Sequence, residues 1–339
     1  MADSANITTF NYNLPTPTPH PPPPTPYPLT PHPSPLTPPT PMLSTALTLA
    51  CRSLCASVAA YGINPTGKLT PQDPYYSAVG FLKPPVAFAA GEDDIDACLV
   101  GTTDQGVILA FRGTIPPDIH SQESMLDWIS DLTDEPVAAA GMPGKVHDGF
   151  WQALSALWEP LVQEVKQQMQ AGTAPLPLYI TGHSKGGALS SLAALRLKLQ
   201  AGIVPTAIYT YASPHPGDAT FASYYQLKIP NHIRYEFGND IVPHIVPDST
   251  FIQAIAHLPE LGQFFKGMET WNYSPVGMLQ FIEWHQHMVV GDSPELHLER
   301  LARLVGAIVE GQFEAIVTAH SASCGGGYMS GVCASGVCG

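Results

Sequence analysis

The sequence predicts an α/β protein with a mostly parallel central sheet and helices on both faces. Three observations carry that expectation. Short apolar runs of strand length alternate with stretches of helical period over some 200 residues. One such junction, Pro175 to Leu195, runs from an apolar strand through a glycine-rich turn into a small-residue helix. Finally, of 339 residues about 300 remain once a proline-rich start is set aside, enough for one large core. No internal repeat is visible.

Residues 15 to 41 hold 15 prolines in 27 positions, so residues 1–41 read as a polyproline II or disordered tail. That tail is an inert spacer or, as the alternative, a ligand for a proline-recognising partner. The folded domain is expected over 42–320, opening with a helix from Leu43 to Ala60 that Gly62 can cap. Strands follow at Val86 to Ala90, Ala97 to Val100 and Val107 to Phe111, the last two joined as a hairpin by the Thr103-Asp104-Gln105-Gly106 turn. Leu154, Leu157, Leu161, Val165 and Met169 fall at helical spacing, although Pro160 should kink or restart that helix before Gly172 ends it. Pro175 to Thr181 is a strand and Gly186 to Leu199 a helix; Ala207 to Tyr211 and His232 to Phe237 are buried strands. A single helix from Pro294 to Ala319 closes the domain, with Ser293 as its N-cap. Residues 321–339 form a Gly/Cys-rich tail.

Composition excludes several functions. Only 12% of residues are charged, about half the usual share, and 28 acidic against 14 basic side chains give a net charge of −14. So few cations cannot neutralise a run of phosphates, which argues against nucleic acid. They are equally poor at holding anionic lipid by charge alone. No run of 18 apolar residues occurs, so no transmembrane segment is expected. The first basic residue is Arg52, which leaves no charged region ahead of an apolar signal segment.

Six cysteines are too few for a disulfide scaffold in a chain of this size. Cys324, Cys333 and Cys338, with His320 as a fourth ligand, would have to supply any zinc site. Their spacings of 9 and 5 residues and the lack of a C-x-x-C argue for a flexible tail or a late disulfide instead. No metal or cofactor is expected.

The chemistry concentrates at Gly182-His183-Ser184-Lys185-Gly186. A G-x-S-x-G alone is weak evidence, with about 0.2 chance occurrences expected at these Gly and Ser frequencies. Its place between strand and helix makes it the layout of a nucleophile elbow. The serine hydroxyl is then left exposed at the strand's end, above a helix N-terminus that favours negative charge. Such a serine needs a base and a carboxylate to orient it. Asp240 follows a strand in a turn rich in Gly, Asn and Pro, where a triad carboxylate should stand.

Six segments in one order make the chain resemble the class 3 lipases, the fungal triacylglycerol lipase and feruloyl esterase type. They are Phe111-Arg112-Gly113-Thr114, Trp128-Ile129-Ser130-Asp131-Leu132, Val146-His147-Asp148-Gly149-Phe150, Gly182 to Gly187, Tyr211-Ala212-Ser213-Pro214 and Gly238-Asn239-Asp240-Ile241-Val242-Pro243. The resemblance spans about residues 43 to 305. It implies an α/β-hydrolase fold that hydrolyses carboxylic esters, of lipid or related acyl substrates, without a cofactor. It also implies that Thr114 supplies oxyanion donors from its backbone N–H and hydroxyl, that the backbone N–H of Lys185 is the other donor, and that Asp131 holds the Thr114 hydroxyl. Lys185 stands where leucine is commoner, and the 13 residues Ile115 to Asp127 are longer than the fungal lid connection.

The base is chosen among histidines after Asp240: His285, His287, His297 and His320. His297 matches the family position, a His-Leu before the terminal helix, 57 residues after Asp240. A helix N-terminus there would keep its ring neutral. His285 and His287 are the reserve choices. The resulting expectation is a serine ester hydrolase using Ser184, His297 and Asp240. A silent hydrolase fold used for binding, and an acyltransferase with the same residues, are the alternatives.

Overall fold

The structure, a computed structural model, describes residues 47–91, 95–114, 121–333 and 336–338. The proposed tail 1–41 lies outside these, and all of them fall within the unit Thr45–Gly339. Eight strands build the main sheet: β1 (Val86–Ala90), β2 (Asp96–Thr103), β3 (Gly106–Phe111), β4 (Leu178–His183), β5 (Ala207–Tyr211), β6 (His232–Phe237), β7 (Met278–Ile282) and β8 (Met288–Val290). They lie side by side in that order. β3 to β7 are mutually parallel, and β1, β2 and β8 pair antiparallel at the edges. A second, four-stranded sheet of two-residue strands pairs Tyr273–Ser274, Gly217–Asp218, Val146–His147 and Pro136–Val137.

Period-two alternation divides each central strand between two cores. Cys98, Val100, Val107, Leu109 and Phe111 face helices α3 (Asp148–Met169) and α4 (Lys185–Arg196). Leu99, Ile108 and Ala110 face the opposite layer, where α1 (Leu49–Ala59) packs through Leu54, Cys55 and Val58. A third cluster joins helix α2 (Gln122–Asp131), through Met125, Trp128 and Ile129, to the segment after β6 and to Leu301 and Leu304. Both sheet faces are therefore covered, as an all-parallel centre requires.

Three elements differ from expectation. α3 runs unbroken through Pro160, whose ring sits on the exposed face, where the carbonyl it leaves unpaired can reach water. The closing helix is two: α6 (Pro294–Val309), capped by Ser293, and α7 (Phe313–Ala319), separated by Gly311 at φ 70°. The chain turns there, so residues after 310 do not continue the axis of α6. Nor is 321–339 a loose tail over its described part. Helix α8 (Gly327–Cys333) buries Tyr328, Met329 and Cys333, and disulfides join Cys51 to Cys333 and Cys324 to Cys338. The three cysteines of the zinc reading are consumed in these bonds. Among the described residues no helix is long and apolar enough to cross a membrane.

Candidate active site

β4 delivers Ser184 at φ 58° and ψ −135°, a conformation that a side chain rarely adopts, immediately before the first turn of α4. The flanking glycines permit it. A Cβ at Gly182 would stand 2.0 Å from the Gly186 carbonyl oxygen, and one at Gly186 would stand 2.4 Å from that of Phe111. Backbone bonds fix the turn, from Ser184 N–H to Tyr211 O at 2.9 Å and from Gly187 N–H to Ser184 O at 2.8 Å. The Ser184 hydroxyl itself is buried and has no hydrogen-bond partner among the described residues.

Asp240 lies in the tight turn after β6 and is 3% exposed. Its Oδ1 accepts from Val242 N–H at 2.9 Å, and its Oδ2 accepts from the Tyr328 hydroxyl at 2.7 Å. Both carboxylate oxygens lie 3.1 Å from Nδ1 of His320. Burial alone would raise the pKa of this carboxyl. The adjacent His320 and the bonds from His320, Tyr328 and Val242 outweigh that burial and hold it below the usual carboxylate value.

The structure thus places His320, not His297, on Asp240. His297 sits on the first turn of α6, with Nε2 3.5 Å from Asp248 and its ring 6.1 Å from that of His244. The break at Gly311 is the reason. It carries the chain from α6 into α7, which delivers His320 beside Asp240, while α6 leaves His297 beside Asp248. His285 and His287 are exposed on the turn between β7 and β8, with His287 near Glu283. Because a carboxylate only accepts, the bond fixes His320 as the Nδ1–H tautomer and leaves the Nε2 lone pair free. That Nε2 is buried and, among the described residues, unpartnered, as is the Ser184 hydroxyl.

Further residues hold His320. His183 lies under it at a ring distance of 4.6 Å, and Trp128 meets its edge at 5.4 Å. Nε2 of His183 donates to the His320 carbonyl at 2.8 Å, so its Nδ1 must accept from the Tyr61 hydroxyl at 2.9 Å. Burial lowers the His183 pKa to about 3, so this ring stays neutral and serves as a strut. Tyr61 and Tyr328 carry no motif. A tyrosine two residues after an apolar helix, or in a glycine-rich tail, gives no sequence signal for either role.

Thr114, Gly113, Arg112, Ile95 and Lys185 line one cavity of about 240 Å³. Lys185 begins α4, so its backbone N–H is among the free donors of the helix start. Its ammonium group pairs with Asp96 at 2.5 Å. Asp131 does not support Thr114: it is exposed at the end of α2, and no hydrogen bond joins the two. Helix α2 directs Trp128 and Ile129 inward, which leaves Asp131 on the outer side. Among the described residues only Cys51, Cys55 and Cys333 cluster as metal ligands would, and two of those sulfurs are bonded to each other.

Residues 108–250 match the family Lipase (class 3). Over 149 residues the chain is 31% identical to a secreted mono- and diacylglycerol lipase A of Penicillium cyclopium, covering 43% of this chain and 45% of the relative. Over 154 residues it is 33% identical to a lipase of Rhizomucor miehei, covering 43% and 39%. The chain thus spans less than half the length of these curated relatives. Among solved structures, a Rhizomucor miehei lipase propeptide complex superposes with a TM-score of 0.52 at 24% identity, over 71% of this chain and 69% of that one. The shared architecture is the α/β-hydrolase fold. From the end of β3 through the elbow to the Asp240 turn, the chain is thus similar to the class 3 lipases.

Proposed function

We propose that this protein is a serine carboxylic-ester hydrolase acting on lipid or related acyl esters, with Ser184, His320 and Asp240 as its triad. One observation carries the reading. His320 presents Nδ1 to both oxygens of Asp240, while its Nε2 and the Ser184 hydroxyl are both buried and have no partner among the described residues. Substrate binding is expected to tighten that proton path, since catalytic hydrogen bonds are often open in the free enzyme.

In this mechanism Ser184 Oγ attacks the acyl carbonyl and His320 Nε2 takes its proton. Asp240 stabilises the resulting imidazolium. The oxyanion is held by the backbone N–H of Lys185 and by the N–H and hydroxyl of Thr114. His320 returns the proton to the leaving alcohol, and water then releases the acyl group from Ser184. The named lipase relatives support an acyl-ester substrate.

A fluorophosphonate, which reacts only with an activated serine, should label the protein once, at Ser184. A short-chain p-nitrophenyl ester should show a burst of p-nitrophenol at one equivalent per chain. Labelling elsewhere, or a folded protein that takes no label, would sink the triad. Thr114 provides a second check. Thr114→Val removes a donor aimed at the transition state, so kcat and kcat/KM should fall together by about 10²–10³-fold. Thr114→Ser should cost far less. Equal losses in both variants would exclude the hydroxyl as a donor.

A further inference from the structure

We propose that Tyr328 is a positioning residue for Asp240, held in register by the disulfide between Cys51 and Cys333. The proposal rests on the triad reading above and adds to it a segment that lies beyond the matched residues 108–250.

The Tyr328 side chain is fully buried. Its hydroxyl bridges two fixed groups, donating to Asp240 Oδ2 at 2.7 Å and accepting from the backbone N–H of Phe237 at 3.1 Å. The Phe237 bond uses an oxygen lone pair, so the single hydroxyl proton is committed to the carboxylate. Asp240 therefore has three donors around it, from His320, Tyr328 and Val242. Two of these fix the carboxylate plane, and the third is the imidazole that the plane must orient. With Val242 alone, the carboxyl could rotate about its terminal torsion, which is broad and roughly two-fold. The N–H of His320 would then lose its aligned acceptor. Burial and the neighbouring Asp240 keep the phenol protonated, so the donor persists at any working pH.

The position of Tyr328 comes from α8. That helix has seven residues and ends at Cys333. A helix this short is unstable alone, so its place depends on what anchors it. The ring packs against Phe237 and His183 at centroid distances of 6.0 Å each. Cys333 is bonded to Cys51 in the first turn of α1, and α1 packs across β3 to β5. The disulfide thus ties the tyrosine's helix to the layer beneath the elbow strand.

The test is Tyr328→Phe, which keeps the ring and removes only the hydroxyl. The first readout needs no turnover: the low-field proton resonance of His320 Nδ1–H, which reports its bond to Asp240. It should move upfield or broaden in Tyr328→Phe while the thermal transition stays cooperative. The second readout is kinetic. A bond to a charged group that orients the base should matter in turnover, so kcat should fall about ten- to a hundredfold with KM within about twofold. The acidic limb of kcat/KM should move to higher pH, because Asp240 loses a donor to its charged form. Cys333→Ala, or reduction of the native protein by a dithiol, should give part of the same kcat loss. In the Tyr328→Phe background either should add little.

An unmoved resonance together with a kcat within twofold of wild type would overturn the proposal. So would a loss confined to KM or to thermal stability. If the resonance moves but the wild type cleaves no ester, Tyr328 still positions Asp240 and it is the hydrolase reading that fails.

Discussion

His320→Ala lowers kcat by on the order of 10⁴-fold or more, about as much as Ser184→Ala, and the double variant is little worse than either. The non-additivity follows from roles. With no base to take its proton the hydroxyl is a poor nucleophile, and with no nucleophile the base has nothing to activate. Residual rate over water would come from Thr114 and the Lys185 N–H. His297→Ala is expected to stay within roughly tenfold of wild type, because its ring, on α6, lies beside Asp248 and His244 rather than Asp240. His285→Ala and His287→Ala, both on an exposed turn, should be closer still. Steady-state kinetics on a soluble p-nitrophenyl ester, with circular dichroism to confirm folding, decide the matter. An inactive His297 variant beside an active His320 variant would reinstate His297.

Acidification is the second large expected effect. Burial holds His183, His215, His232 and His244 at about pKa 3 and His147 at about 4, against an ordinary 6.5. Positive neighbours push the same way at His215 and His232, where Arg234 is close. Each ring is neutral when folded and takes up a proton only when the chain unfolds. A folded pKa below the unfolded one means stability that is complete above about pH 6.5 and drains away as pH falls toward 3 to 4. Each ring then costs about 1.4 kcal/mol per pH unit below 6.5, or roughly 2 kcal/mol between pH 7 and 5. Five such rings come to on the order of 10 kcal/mol, comparable with the whole stability of a domain. Asp240, held below its ordinary value, adds loss of the same sign at lower pH. A cooperative loss of the circular dichroism signal near pH 5 is expected, with midpoint rising as denaturant is added. A native signal that persists to pH 4 at low denaturant would contradict these buried, neutral rings.

Much of this architecture was legible in the chain. The strands at Val86–Ala90, Ala207–Tyr211 and His232–Phe237 occupy the residues that their apolar runs mark out. The latter two are legible because a buried parallel strand is a short apolar run between breakers, a purely local pattern, and Val86–Ala90, an antiparallel edge strand, is marked by the same kind of run. The elbow was legible for a different reason, since close backbone approach demands glycine at Gly182 and Gly186 whatever the rest of the chain does. The base was not. Residues 294 to 319 keep a helical period across Gly311, and only the left-handed backbone of that glycine separates α6 from α7. The Glu310-Gly311-Gln312 step was the available signal, a helix-ending glycine followed by a fresh apolar stretch. Cysteine pairing was illegible in a stronger sense. Cys51 and Cys333 are 282 residues apart, and no local pattern says which partner the fold will bring. Asp131 failed because a motif transfers the residue type and not the outward rotation of the helix that carries it.

That bond between Cys51 and Cys333 turns most of the protein into a covalent ring. Closing a loop of this length removes chain entropy worth about 6 kcal/mol from the unfolded state. It also changes what a broken backbone means. The elbow, the Asp240 turn and His320 all lie inside the ring, between the two linked cysteines. A protease that cuts one surface loop within it opens the ring without releasing a fragment. The two halves of the site stay joined through the sulfurs, so the nicked chain remains one molecule, able to refold as one.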